Sequence, residues 1–323
     1  MLLSLIEILL LIFPVLFAIA FLTLTERKVM GSMQRRVGPN KVGIFGILQP
    51  IADGIKLLLK ETIIPYQSNK LLLILAPLLI FTINLIGWAP IPFSKGYQIS
   101  DMELGIIYIL AISSIGVVGI ILAGWSGNSK YSLMGCLRTT AQLVSYELLL
   151  GLTILTVILI INNFNINNII LFQQSIYFFI PLLPLFIIIF ISAIAETNRP
   201  PFDLVESESE LVSGAFTEYS SFSFALIFLG EYGAMITMST LITILFLGGY
   251  LQPFFINSYF DSISLGIKIC FLLFCFIWVR STLPRVKFNQ LISLCWKSLF
   301  PLVLGLFIFV SSLVLIFNLT YII

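Results

Sequence analysis

The chain has 323 residues, 59% of them hydrophobic and only 10% charged, with a formal net charge of +2 and no histidine. Soluble domains carry about 25% charged residues, so this composition excludes a water-soluble enzyme, a disordered chain and a basic nucleic-acid binder. Apolar runs recur along the whole length, which also excludes a single-pass anchor.

Without histidine the chain lacks the commonest acid–base group and metal ligand. Cys136, Cys270, Cys275 and Cys295 form no C-x-x-C pair and read as small apolar residues. No Gly-rich phosphate loop follows a strand pattern. No redox cofactor and no metal site is therefore expected on the chain itself.

The first segment, MLLSLIEILLLIFPVLFAIAFLTL, has no basic n-region and no small-residue cleavage pattern before Glu26 and Arg27. It reads as a retained membrane span rather than a signal peptide. An Arg- and Ser-rich transit peptide is also missing, and Ile, Leu, Phe and Asn are used heavily. These features point to a bacterium or an organellar genome. A span needs about 20 apolar residues. Eight segments qualify: 2–24, 71–90, 104–124, 141–161, 177–195, 223–249, 265–279 and 299–319. The fold class is an all-α polytopic membrane protein with a single membrane domain over 1–323. Pro14, Pro77, Pro181 and Pro184 fall inside the spans and are tolerable where neighbouring helices satisfy the freed backbone.

The basic residues fix an orientation. All of the 17 Lys and Arg except Lys95 and Lys268 fall in the odd-numbered connections or at their edges. By the positive-inside rule those connections face the matrix or cytoplasm, and both termini lie on the opposite side. The first connection, 25–69, is far longer than a helix hairpin needs. In it Gln49, Asp53, Lys56 and Lys60 make one polar stripe, with Phe45, Leu48, Ile51, Ile55, Leu58 and Leu59 opposite. That pattern predicts an amphipathic helix in the interface plane, either an inert collar or the floor of a ligand entrance.

Acids inside spans are costly and are functional candidates. Glu147 lies in SYELLLG and Glu231 in GEYGAM, each beside a tyrosine. Each could make a structural interhelical hydrogen bond or take part in a proton path. The acidic connection 196–222 follows, with Pro200 and Pro201 ending the preceding helix. Asp203 reads as a helix start, while Glu206 and Glu210 share one face and Glu208 lies on the other. Together with Glu196 and Glu218 they suggest acids that share protons. Arg27, Arg35, Arg36 and Arg199 are the expected counter-charges, with lipid anchoring the alternative for them and the simpler account of Lys28, Lys287 and Lys297. The basic connection 280–298 closes the set.

Three stretches then carry a family signature: LTLTERKVMGSMQRRVGPNKVGIFGILQPIADGIKLLLKE, AETNRPPFDLVESESELVSGAFTEYSS and WVRSTLPRVKFNQLISLCWKSLFPL. They closely resemble the subunit 1 family of NADH:ubiquinone oxidoreductase, respiratory complex I. The resemblance implies a core membrane-arm subunit whose odd connections build much of the quinone chamber. Carried over by motif, Arg27, Gln34, Arg36 and Asp53 belong to the chamber's entrance and wall, with Arg199 and Phe202 deeper. It also implies that Glu147, Glu196, Asp203, Glu206, Glu208, Glu210 and Glu231 link the chamber to a proton path. Ubiquinone is then the substrate, while NADH, FMN and iron–sulfur clusters sit on partner subunits. The implied partners are the other complex I subunits, peripheral and membrane-arm, together with membrane lipids and no nucleic acid. The implied location is the mitochondrial inner membrane with both termini on the intermembrane-space side, or a bacterial plasma membrane.

Ser207 stands where the family often has Gly, GAFTEY replaces a GFN-type run, and Asn289 replaces a common Asp. Two rivals from other classes remain: a free-standing H+ or Na+ secondary transporter, and a membrane anchor of a related hydrogenase. A transporter would be expected to show a repeated half, and none is evident.

Overall fold

A computed structural model describes residues 2–205, 212–252 and 261–317. Eleven α-helices are described: α1 Leu2–Met33, α2 Gln49–Leu59, α3 Lys70–Ile86, α4 Gly105–Ser126, α5 Lys130–Ile161, α6 Ile166–Phe172, α7 Leu183–Glu196, α8 Ser221–Phe246, α9 Asp261–Thr282, α10 Phe288–Ser293 and α11 Phe300–Phe317. A π-turn over Leu294–Leu299 joins the last two into one rod. Among the described residues the only β-type pairing is an isolated bridge between Ser94 and Tyr97.

Among the described residues six helices are long and apolar enough to cross a membrane, while α3 and α7 are shorter apolar helices. A polytopic membrane protein follows from this. At 1.5 Å per residue, the 17 residues of α3 and 14 of α7 cover about 26 and 21 Å. Each is short of a hydrocarbon core of about 30 Å. The shortening of α7 has a local cause. Pro184 sits in its first turn, where proline starts a helix, and residues 177–182 stay irregular. Pro181 is therefore outside the helix, unlike Pro14 and Pro77.

Several expected boundaries shift. α1 continues nine residues beyond Leu24, because the charged turn after it keeps helical spacing. α5 begins at Lys130, so most of the third connection is helical and Ser129 caps it by accepting from the Ser132 N–H. α9 begins at Asp261, which makes the seventh apolar segment longer than its hydropathy suggested. The amphipathic helix is present as α2, and it has no buried residue.

α5 is the hub, packing against α4, α7, α11 and the turn Gly214–Phe216. Tyr146, Leu149, Leu150, Ile154 and Val157 are buried along it. The buried Gln142 side chain donates to Ala195 O at 2.8 Å and to Phe202 O at 2.9 Å. One amide thus fixes both the end of α7 and the loop after it. Tyr219 ties the far end of that connection to α4, its hydroxyl 2.9 Å from Ser126 Oγ. Burial pushes its phenol up to about 12, with the Ser126 hydrogen bond opposing.

Helices approach closely through small residues, as membrane bundles require. A methyl at Gly124 would overlap Cys136 Cβ and come within 2.9 Å of the Ser132 carbonyl oxygen, whereas one at Gly151 meets nothing within 4 Å. Gly124→Ala should therefore cost about 1–3 kcal/mol through overpacking. Its thermal midpoint in detergent should fall while that of Gly151→Ala stays near the parent's.

Candidate functional site

The site is built where α1, α8 and α9 meet the loop after α7. One buried stripe of α1 runs Val15, Ile19, Leu22 and then Glu26, at helical spacings of four, three and four, with Leu24 buried beside it. Glu26 is only 2% exposed, so its carboxylate needs partners to offset lost hydration. Arg280 of α9 donates to Glu26 Oε1, and Arg199 Nη1 lies 3.6 Å from the same oxygen. The Arg199 guanidinium also sits 4.1 Å over the ring of Tyr232 on α8, a cation–π contact. Among the described residues, Glu26 Oε2 and Arg199 Nε and Nη2 are buried with no hydrogen-bond partner. Polar capacity is therefore left over inside this cluster.

Two further ion pairs frame it. Arg285 Nη2 holds Asp203 Oδ2 at 3.0 Å, and Val286 N donates to Pro201 O, joining the basic connection to the acidic one. Arg27 Nη1 pairs with Asp53 Oδ2 at 2.6 Å, while Gln49 Nε2 donates to Asp53 Oδ1 at 2.9 Å. These contacts hold α2 beside the end of α1, and Lys28 adds a bond to the Phe45 carbonyl. Arg36 donates to Gln34 at 2.8 Å in the exposed loop that follows α1.

The expected quinone residues thus fall into two groups. Arg27, Gln34, Arg36 and Asp53 lie on the half-exposed or exposed edge, while Arg199 and Phe202 are buried, Phe202 against Tyr146 at 6.0 Å between ring centroids. Among the described residues, the arginines expected as counter-charges and Asp203 find the following partners. Arg27 pairs with Asp53 inside its own connection, Arg199 with Glu26, and Asp203 with Arg285. The Arg199–Glu26 pair follows from distance along the helix: α1 carries Glu26 to the same level as Arg199, which a span ending at Leu24 would not. The tyrosines beside the two intramembrane acids also serve other neighbours. Tyr232 faces Arg199, and Tyr146 donates to the Leu291 carbonyl at 3.4 Å.

Two of the expected acids share one lining, and a third bears on one of them. Glu196 and Glu231 line one cleft of about 100 Å³ among α3, α4, α5 and α8. Glu147 on α5 acts electrostatically on Glu196. Residues 196–199 are shared ground: Glu196, Thr197 and Asn198 line the cleft, and Arg199 belongs to the cluster. Glu218 is placed elsewhere, against Gly127 between α4 and α5. Glu206, Glu208 and Glu210 lie outside the described residues, as does the helix start expected after Asp203. Among the described residues no group of three or more Cys, Asp or Glu could hold a metal ion.

Glu26, Arg280, Arg285 and Tyr232 are site residues that the sequence did not single out. For Glu26 a signal exists, since it continues the buried stripe of α1. For the others the partners are too remote in the chain, Glu26 and Arg280 being 254 residues apart.

Comparison with known proteins agrees with this arrangement in extent. The NADH dehydrogenase family model matches residues 6–311. The chain belongs to this family. It is 50% identical to NADH-ubiquinone oxidoreductase chain 1 of Mycosarcoma maydis, over 98% of both chains. It is 52% identical to the chain of the same name from Chondrus crispus, over 97% of both. A bacterial relative, an NADH-quinone oxidoreductase subunit of Rickettsia canadensis (strain McKiel), is 53% identical over 94% of this chain and 91% of its own.

Neutralising Glu26 would leave two neighbouring arginines without their counter-charge. Glu26→Gln should therefore lower stability by about 3 kcal/mol or more, as expected when one partner of a buried pair is removed. Arg27→Gln breaks an exposed pair and should cost less than about 1 kcal/mol. Denaturation midpoints in detergent compare the two, and equal midpoints would contradict the buried cluster.

Proposed function

We propose that this chain is the core membrane subunit of a proton-pumping NADH:ubiquinone oxidoreductase, walling much of the quinone chamber and linking quinone reduction to proton translocation. It is not catalytic alone. The relatives quoted above carry names of that enzyme's chains, which gives the rival readings of transporter or hydrogenase anchor no support. In this reading α3 and α7 count as spans, completed by the turns around them, giving eight. The basic connections face the matrix, both termini face the intermembrane space, and the membrane is the mitochondrial inner membrane or its bacterial counterpart. The chain binds no resident cofactor. NADH, FMN and the iron–sulfur clusters belong to partner subunits of the peripheral arm, and other membrane-arm subunits continue the proton path.

The observation that carries the reading is the segment 196–199. One side of it lies in the buried arginine–glutamate cluster and the other in the cleft of Glu196 and Glu231. A quinone headgroup entering past Arg27, Gln34, Arg36 and Asp53 would meet Arg199 and Phe202 at its deepest point within this chain. The guanidinium offers the unfilled Nε and Nη2 donors, which suit an oxygen-bearing ring. Two-electron reduction, with electrons from the partner subunits, places negative charge near Arg199 before protons arrive. In a poorly solvated site that charge loosens the hold of Arg199 on Glu26 and changes the proton affinity of the adjacent acids. Protons then pass among Glu196, Glu147 and Glu231 toward the rest of the membrane arm. Asp203, Glu206, Glu208 and Glu210 supply them from the matrix side.

Glu196→Gln and Glu231→Gln, each in the assembled complex in proteoliposomes, test this. NADH oxidation by artificial acceptors should stay intact, while quinone-linked turnover and proton uptake fall at least about tenfold, as loss of a proton-transfer group entails. Glu206→Gln with Glu210→Gln should act in the same direction. Parental turnover and pumping in all of them would overturn the role given to the acids.

A further inference from the structure

α3 is apolar throughout its interior except for Thr82 and Asn84. Thr82 has a local explanation, since its hydroxyl donates back to Leu78 O at 2.8 Å and is exposed. Asn84 does not. An amide in an apolar membrane helix is costly and needs a use for both its polar atoms. Its Nδ2 donates to Ile80 O at 2.9 Å, which satisfies one end locally. The side-chain carbonyl has no protein partner among the described residues, and Asn84 lines the cleft that Glu196 and Glu231 also line.

The opposing helix makes room for it. A methyl on Gly230 would lie 3.5 Å from Asn84 Nδ2 and 2.7 Å from Ile80 Cγ2, and one on Gly233 would lie 3.5 Å from Asn84 Cβ. The two glycines of the G-E-Y-G run therefore let α3 approach α8 on either side of Glu231. The other wall carries orphaned acceptors: among the described residues Glu196 Oε2 and Asn198 Oδ1 are buried with no hydrogen-bond partner. Ser113 and Thr237 add hydroxyls to the lining. Buried polar atoms without protein partners are normally met by ordered water. The rest of the lining is mostly apolar, so water in this cleft of about 100 Å³ would gather where Asn84, Glu196, Asn198 and Glu231 offer it partners, and the volume has room for several molecules.

We propose that Asn84 is a positioning residue for proton transfer between Glu196 and Glu231, its side-chain carbonyl accepting from the water that fills the cleft between the two carboxyl groups. This rests on the proton path proposed above. The amide moves no proton itself. Its Nδ2 bond to the helix backbone fixes the direction of the carbonyl, and the carbonyl fixes the water.

The test uses the assembled complex in proteoliposomes, with variants Asn84→Ala, Asn84→Ser and Asn84→Leu. Asn84→Ala keeps the space and removes the acceptor, and quinone-linked turnover should fall about three- to tenfold, the worth of one neutral hydrogen bond. The solvent deuterium isotope effect on turnover should rise and the pH profile should shift, while NADH oxidation by artificial acceptors is unchanged. Asn84→Ser restores an acceptor and should recover part of the loss. Asn84→Leu fills the cleft and should be slowest. Parental turnover, isotope effect and pH profile in Asn84→Ala would overturn the proposal, and so would a Ser variant no better than Ala. Glu196→Gln, measured alongside, separates the two levels. If it is impaired while Asn84→Ala is not, only the role of Asn84 falls; if it too behaves as the parent, the proton path itself falls.

Discussion

Burying the Glu26 carboxylate toward the C-terminal end of α1 constrains much of the molecule. A lone carboxylate at 2% exposure is untenable without compensation. Compensation comes from two arginines on different elements, Arg280 at the end of α9 and Arg199 in the loop after α7. Those two contacts fix where α9 ends relative to α1 and where the loop crosses between them. Tyr232 then brings α8 into register under Arg199. A buried ion pair is weak support for stability as such, because apolar packing of the same volume does as well. Its presence here argues for use. The cluster is held with spare donors and a spare acceptor, an arrangement that a stability requirement alone does not explain.

The same loop connects that cluster to the cleft, so two sites share four consecutive residues. Gln142 anchors the loop from below with two hydrogen bonds, and the Asp203–Arg285 pair anchors it from the basic connection. In the proposed mechanism these short connections are what would carry the effect of charge near Arg199 to Glu196 and Glu231. Small residues serve the same end in the membrane. The close approaches at Gly119, Gly124 and Gly230 let α3, α4, α5 and α8 pack tightly around a largely apolar cleft that holds Asn84, Glu196 and Glu231.

Much of this is legible in the sequence. Hydropathy gives the all-helical membrane class, and the polar stripe of Gln49, Asp53, Lys56 and Lys60 gives α2, although Leu48 and Lys60 only cap it and Phe45 lies in the turn before it. The three motif-bearing connections are recognisable, and Arg27 and Asp53, both placed at the chamber's edge by motif, prove to be partners. What hydropathy does not give is helix that continues past the apolar run. It closes the first span at Leu24 because charges begin there, although helical spacing carries Glu26 onto the buried face. The starts of α5 and α7 escape it for related reasons, a polar helical extension in one case and Pro184 in the other. Pairings such as Glu26 with Arg280 depend on tertiary contact between remote positions, and no local pattern announces them. Asn84 is legible in principle, as one amide inside an apolar helix.

The central claim is that the buried arginine cluster and the edge formed by α1 and α2 belong to one quinone chamber. Photolabelling tests it most directly, with a ubiquinone analogue carrying a photoreactive group on the ring, applied to the complex in native membranes and followed by mapping of labelled peptides by mass. The account predicts label within 25–60 and 196–205 or 280–287 of this chain, competed away by excess ubiquinone. Competable label confined to other subunits, or to the opposite ends of these helices, would contradict it.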